Sequence, residues 1–229
     1  MGMKRKLNAY RGRLTAAQVA EGMNAAAKNA RRLTEDAERL LAAGSFPTAA
    51  SLAALAIEEW GKVSILRQLA VAKTDAEATT AWKSYRTHTS KNAAWMLPQL
   101  FAAGARKFYD FAPLFDKASD HPFLLDQLKQ LGFYTDCLGD AHWALPWDLI
   151  DEPLSRLLVK TAELLARDSE HTEREVALWI EHMGPVWNGD RASVNQALVN
   201  YYGALQAEGL AADGPNEMAH FIKGDSHRP

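Results

Sequence analysis

Residues 50–66 read ASLAALAIEEWGKVSIL, and this apolar segment decides the fold. Its alanine, leucine and isoleucine side chains recur at spacings of three and four, which is typical of a packed α-helix. Two adjacent glutamates and a lysine interrupt it. Because an ionised side chain is costly to bury without a partner, the segment predicts a polar contact between helices.

Successive residues of an α-helix are turned by about 100°, so Glu58 and Glu59 lie on different faces. Glu59 follows the spacing of an apolar stripe, and we expect it to be buried and to bridge to another helix. Glu58 precedes Lys62 by four residues, the favourable order for an ion pair, so we expect that pair at the surface. Gly61 inside a helix predicts that another backbone or a bulky side chain passes close by.

Helical spacing and capping signals extend over most of the chain, whereas strict alternation of period two is scarce. The sequence therefore predicts an all-α protein, an antiparallel helical bundle with additional C-terminal helices, in one domain over residues 1–229. Its core is expected at about 15–167 and a helical extension at 168–222. Helices are predicted at 15–43, 47–72, 74–98, 121–139, 153–183, 192–208 and 215–222, with irregular structure at 104–122 and a loop at 140–153.

Composition excludes several classes of function. The formal net charge of −2 gives no global attraction to nucleic acid or membrane, and no apolar run is long enough to span a bilayer. The basic first residues lack the apolar stretch of a signal peptide, and the single cysteine, Cys137, fits a reducing compartment. We therefore expect a cytoplasmic protein. Glycine-rich phosphate loops are absent from the sequence, and no cofactor is expected.

A polar stripe of His88 and Lys91 lies on the predicted third helix, and antiparallel packing would bring it near the turn that holds Glu58 and Lys62. Arg86 points to the opposite side of that helix. A buried glutamate beside histidine and lysine can transfer protons, or it can simply hold helices together. On spacing alone both interpretations stay open.

Two aromatic stretches follow. Tyr134 and Asp136 in LKQLGFYTDC could join the cluster, although a tyrosine in this pattern is also typical of a core residue. The loop WALPW, with Trp143 and Trp147, is typical of a loop that plugs a helical core; the alternative is an exposed recognition loop.

A metal site is a further alternative. Its ligands would come from the set Glu58, Glu59, His88, His121 and His142. None of these five residues has the E-x-x-H or H-E-x-x-H spacing that helical metal sites commonly use, so no metal is expected.

Three segments in order resemble the AbiV family of bacterial abortive-infection proteins: the segment that ends in EEWGK, the segment RTHTSK, and the segment KQLGFYTD with a proline after it. The resemblance covers about residues 15–167. The matching positions are Glu58, Glu59, Gly61, Lys62, Arg86, His88, Lys91, Lys129, Tyr134 and Asp136.

The resemblance implies a HEPN-like helical domain. Such domains often dimerise, and many are metal-independent RNases of antiphage systems with an R-x4-6-H signature. None of the seven histidines here has an arginine at that spacing; Arg86 and His88 are separated by one residue. An RNase would therefore need a rearranged site, with His88 as general acid or base, Lys91 or Arg86 as phosphate ligand and Glu59 orienting His88.

Two functions are consistent with these patterns. In the first, the protein is an antiphage effector that cleaves RNA at this rearranged site. In the second, it is a non-enzymatic protein that acts by binding a phage or host protein, and the cluster only holds the helices together. The expected partners are accordingly RNA, or a phage or host protein, and a second copy of the chain.

Overall fold

A computed structural model of the chain describes residues 9–115, 120–167 and 170–224. It confirms the all-α prediction. The helices are α1 (Ala16–Ala42), α2 (Phe46–Ala70), α3 (Asp75–Arg86), α4 (Leu97–Ala102), α5 (His121–Phe133), α6 (Pro146–Leu149), α7 (Glu152–Leu165), α8 (Glu173–Met183), α9 (Arg191–Ala207) and α10 (Glu217–Lys223). Two short strands, β1 (Asp136–Leu138) and β2 (His142–Ala144), pair as an antiparallel hairpin.

Local capping signals set the ends of the first helices. The Thr15 hydroxyl accepts a hydrogen bond from the backbone of Gln18, whose side chain returns one to the Thr15 backbone, and Thr74 begins α3 in the same way. Gly44 has a φ of 76°, which glycine adopts without strain. The connection between α1 and α2 is only three residues long, so α2 runs back along α1.

Helix α2 is the centre of the molecule, because α1, α3, α5 and α7 all pack against it. Its buried side chains occur on nearly every face, from Ala49 to Leu69. A helix that is apolar all round is one that neighbours enclose. One end of α2 joins a core with α1, α5 and α7, and the other end joins a core with α1 and α3. Any charge that is buried on α2 therefore needs a partner close by.

Three predicted boundaries are wrong. The third helix ends at Arg86 rather than near residue 98, because Thr87 takes an extended conformation and 3-10 turns follow at Thr89–Lys91 and Ala93–Met96. The helix predicted over 153–183 is two helices, α7 and α8. The predicted loop and the end of the predicted fourth helix form the hairpin instead.

The C-terminal helices confirm the last predicted pair. Helix α8 packs on α1 and α9, and Trp179 meets the Tyr201 ring edge-on, with centroids 5.2 Å apart. Helix α10 contacts α9, and Phe221 packs on Phe108 from the 3-10 segment Phe108–Phe115. Among the described residues, no helix combines the length and the hydropathy needed to cross a membrane.

Candidate functional site

Residue Glu58 lies in the middle of the bundle and is 2% exposed. Lys129 Nζ, from α5, is 2.7 Å from Glu58 Oε1. His88 Nδ1 is 2.7 Å from Glu58 Oε2, and Lys91 Nζ is 3.8 Å from the same oxygen. Three side chains, from α5 and from the segment after α3, thus bring a nitrogen to one buried carboxylate, which satisfies the requirement that a buried charge be paired and hydrogen-bonded.

Close backbone contacts place these partners. A Cβ added at Gly61 would lie 2.1 Å from the Lys91 carbonyl oxygen, so only glycine lets the segment after α3 approach α2 so closely. This confirms the prediction made for Gly61. On the other side, a Cβ at Gly132 would lie 2.2 Å from Ser51 Oγ, and that hydroxyl donates a 3.0 Å hydrogen bond to the Lys129 carbonyl. Helix α5 is therefore held tightly against α2.

His88 combines a buried partner with an exposed ring. Its side chain is 58% exposed, whereas that of Glu58 is 3% exposed. An ionised carboxylate can only accept a hydrogen bond, so the hydrogen lies on Nδ1, an assignment made from the bonding partner. The neutral ring then presents Nε2 as a proton acceptor. This arrangement, a buried carboxylate that orients a histidine through Nδ1, is the one that hydrolytic enzymes use to fix the tautomer of a general base.

The two lysines beside Glu58 are buried and differ in pKa. Burial lowers the pKa of the Lys91 ammonium, and the charge of Glu58 opposes this without cancelling it. Burial acts in the same direction on Lys129, but its hydrogen bonds to Asp126 and Glu58 outweigh that effect and raise its pKa. Lys129 therefore holds its proton more firmly than an exposed lysine, while the Lys91 ammonium gives up its proton more easily than an exposed lysine.

The roles predicted for the two glutamates are exchanged in the structure. Glu59 is partly exposed and forms an ion pair with Lys62 on the same helix, and the Lys62 ammonium lies 5.1 Å from the Tyr85 ring centre. Glu58, expected at the surface with Lys62, is the buried residue. The reason is that α2 is enclosed on most sides, so the phase of a single apolar stripe does not identify the buried carboxylate. The expectation that Glu59 orients His88 is wrong, because Glu58 does so.

Arg86 does not face Glu58, which agrees with its predicted direction. Its guanidinium stacks on the Trp82 ring at 4.9 Å and donates to the Tyr10 carbonyl. These contacts hold Arg86 on Trp82 and Tyr10 rather than on Glu58.

Tyr134 and Asp136 also lie outside the cluster. Tyr134 is 63% exposed, and a carboxylate oxygen of Asp136 accepts a hydrogen bond from the backbone of Cys137. Both follow the end of α5, whereas Lys129 lies within that helix, about two turns from its start. Neither the core position nor the cluster position considered for Tyr134 is correct.

Asp126 is a member of the cluster that sequence reasoning missed. Its Oδ1 accepts a 2.7 Å hydrogen bond from Lys129, three residues later on α5. The spacing D-x-x-K on one helix was a signal for it. Glu58, His88 and Asp126 offer ligand atoms within 4.8 Å of one another, a set that could hold a metal ion. However, the Lys129 ammonium bridges the two carboxylates at 2.7 Å from each and occupies the place of a cation, so the donor set fits a metal poorly.

A second pairing of histidine and glutamate connects the C-terminal helices to the core. His171 Nδ1 lies 3.0 Å from Glu175 Oε2, and an Arg67 nitrogen lies 2.9 Å from Glu175 Oε1. The His171 side chain is only 9% exposed, so this pair has no open ring nitrogen of the kind that His88 has. Burial raises the Glu175 pKa, but its bonds to His171 and Arg67 outweigh this and lower it.

The described fold and its central polar cluster define a HEPN-like all-α protein. Residues 18–167, more than half of the chain, match the family model described as AbiV, and the chain belongs to the AbiV family. Membership of this abortive-infection family indicates a role in defence against phage. Neither the curated proteins nor the solved structures gave a match to the chain. The matched residues include the whole Glu58 cluster, while α8, α9 and α10 lie beyond them.

Proposed function

We propose that this abortive-infection protein cleaves RNA without a metal ion, using the pair Glu58–His88 as its general base. One observation carries the proposal: a glutamate that is 3% exposed in its side chain bonds Nδ1 of a histidine that is 58% exposed. The buried carboxylate fixes the ring, and the open Nε2 can reach a hydroxyl of a substrate in solvent. Family membership supports a defence role but leaves the chemistry to be tested.

The reaction is a transesterification within RNA. His88 Nε2 takes the proton of a ribose 2′-hydroxyl, and the 2′-oxygen attacks the adjacent phosphorus. The bond from phosphorus to the 5′-oxygen breaks, and that oxygen takes a proton from water. The products are a 2′,3′-cyclic phosphate and a 5′-hydroxyl. The negative charge of Glu58 stabilises the imidazolium that forms, as the aspartate does in a catalytic triad.

Lysine charge supports the same step. The Lys91 ammonium is 3.8 Å from the oxygen that bonds His88, so it lies close to the ring and adds positive potential near the reacting phosphate. Lys91 replaces Arg86 in this role, since Arg86 is bound to Trp82 and Tyr10. The proposed site therefore consists of Glu58, His88 and Lys91, with Lys129 and Asp126 holding Glu58 in place.

A second candidate is a non-enzymatic protein that binds a phage or host protein. The observation that favours it is the burial of the cations: the Lys91 and Lys129 side chains are 6% and 5% exposed. A cluster enclosed to this degree also holds helices together, whatever else it does. In this case His88 is a surface residue, and its replacement changes neither RNA cleavage nor the protection of cells against phage.

Incubation of purified protein with RNA in the presence of EDTA distinguishes the two candidates. We expect wild type to cleave and to leave 2′,3′-cyclic phosphate ends, and His88→Ala to be slower by about 10²-fold or more, the usual contribution of a general base. His142→Ala removes an exposed histidine of the hairpin and serves as the matched control, with wild-type cleavage. The RNase proposal would be overturned if RNA stayed intact with both wild type and His88→Ala, and if both proteins protected cells against phage equally well.

A further inference from the structure

Large apolar side chains are exposed in one short stretch, between α5 and α7. They are Phe133, Tyr134, Leu138, Trp143, Trp147 and Leu149, which we call the aromatic surface. The two tryptophans are 68% and 71% exposed. The expectation that WALPW plugs the core is therefore wrong for both of its tryptophans, although Ala144 and Pro146 between them are buried.

The elements that carry the aromatic surface are adjacent. Phe133 and Tyr134 end α5 with their rings 6.3 Å apart, and the chain continues directly into β1. Trp143 lies in β2 opposite Cys137, and Trp147 lies in α6, which packs against α5. In the part of the chain that the structure describes, no third strand pairs with the hairpin. A two-stranded hairpin is marginal by itself, and Ala144 is the one buried residue of its two strands, so most of the hairpin is open to solvent.

The aromatic surface carries negative charge. Residues 133–149 contain Asp136, Asp140 and Asp148, and neither lysine nor arginine. All three aspartates are exposed. Among the described residues, Asp140 and Asp148 have no ion-pair partner. A partner with phosphate groups would be repelled here, whereas lysine or arginine would be attracted.

Size and symmetry narrow the class of partner further. Four aromatic side chains at these exposures present on the order of 500 Å² of surface, the size of a functional patch on a monomer. That is below the roughly 800 Å² that each partner contributes to a standard stable interface. In a symmetric dimer the patch would also meet itself and bring its aspartates together, which is unfavourable. A short basic segment avoids both difficulties.

We propose that the aromatic surface binds a protein segment that combines lysine or arginine with apolar side chains. The aromatic rings bury the apolar side chains, and the three aspartates face the cationic ones. This proposal does not depend on RNA cleavage, since none of its residues belongs to the Glu58 cluster. It assigns to the hairpin a role in recognition that is separate from the chemistry at His88.

Labelled peptides test the proposal by fluorescence anisotropy with the full chain. One peptide alternates lysine and leucine, a second has glutamate in place of lysine, and a third has alanine in place of leucine. We expect the lysine–leucine peptide to bind wild type more tightly than the other two peptides. Trp143→Ala with Trp147→Ala should weaken the affinity for this peptide by about tenfold or more. Asp140→Asn with Asp148→Asn should weaken it and reduce its dependence on salt.

The control replaces two exposed leucines on α7, Leu157→Ala with Leu164→Ala, and should leave binding unchanged. All these positions are exposed, so far-UV circular dichroism should show every variant folded. Equal binding by the tryptophan variant and the leucine control would overturn the proposal. So would preferred binding of the glutamate peptide, binding of a single-stranded RNA that the tryptophan variant loses, or a wild-type dimer that the tryptophan variant dissociates.

Discussion

Replacing Glu58 by glutamine removes the carboxylate charge and keeps the shape of the side chain. The change leaves the Lys91 ammonium, 6% exposed, without its closest carboxylate, and it removes one of the two carboxylates that bond Lys129. Breaking a buried ion pair in this way costs about 3–5 kcal/mol of unfolding free energy. For a chain of this size, 1 kcal/mol shifts Tm by about 2–4 °C, so we expect Tm to fall by roughly 6–20 °C.

The neighbouring glutamate provides the control. Glu59→Gln makes the same chemical change one residue later, in a pair with Lys62 whose side chains are 18% and 20% exposed. Such a pair contributes about 1 kcal/mol or less, so Tm should fall by no more than about 4 °C.

Thermal and urea unfolding, followed by far-UV circular dichroism, give both values. Lys91→Met in the Glu58→Gln background should recover part of the loss, because the two residues are directly coupled. Equal losses of unfolding free energy for Glu58→Gln and Glu59→Gln would refute the reasoning.

Three further predictions concern the surroundings of the cluster. Gly61→Ala should lower the unfolding free energy by about 1–3 kcal/mol, measured in urea, because the new Cβ would lie 2.1 Å from the Lys91 carbonyl oxygen; a variant as stable as wild type would contradict this. The lowered pKa of Glu175 means that its ion pairs stabilise the folded state above its usual value of 4.5 and lose that effect as the pH falls below it. The difference in unfolding free energy between wild type and Glu175→Gln should thus be constant near neutral pH and shrink in acid. A difference that grows in acid would contradict the lowered pKa of Glu175. Arg86→Ala should leave RNA cleavage at the wild-type rate, since the Arg86 guanidinium is stacked on Trp82. A loss of cleavage rate as large as that of His88→Ala would show that Arg86 takes part in the reaction.

Much of the helical framework could be read from the sequence, because local signals determine it. The capping residues Thr15 and Thr74 and the turn at Gly44 mark helix ends by chemistry within a few residues. The hairpin was missed although Gly139 and Asp140 are turn residues between two short strands. The strands have only three residues each, too short for a pattern of period two to stand out.

The candidate site was predicted in outline, but one central detail of the prediction was wrong. The sequence indicated that a glutamate of α2 would meet His88 and Lys91, and the structure brings them together. Which glutamate is buried depends on where α5 and the segment after α3 pack, and this is a property of the whole bundle. The same limit explains Asp126, whose role follows only once Lys129 is placed beside Glu58.

The central claim is that Glu58 holds His88 with the hydrogen on Nδ1 and Nε2 free. Nitrogen-15 NMR of the histidine rings tests this directly, with the His88 signals assigned by their loss in His88→Ala. The account predicts that neutral His88 in wild type carries its hydrogen on Nδ1, and that Glu58→Gln abolishes this preference while Glu59→Gln preserves it. A wild-type ring with its hydrogen on Nε2, or the same tautomer in wild type and Glu58→Gln, would contradict the account.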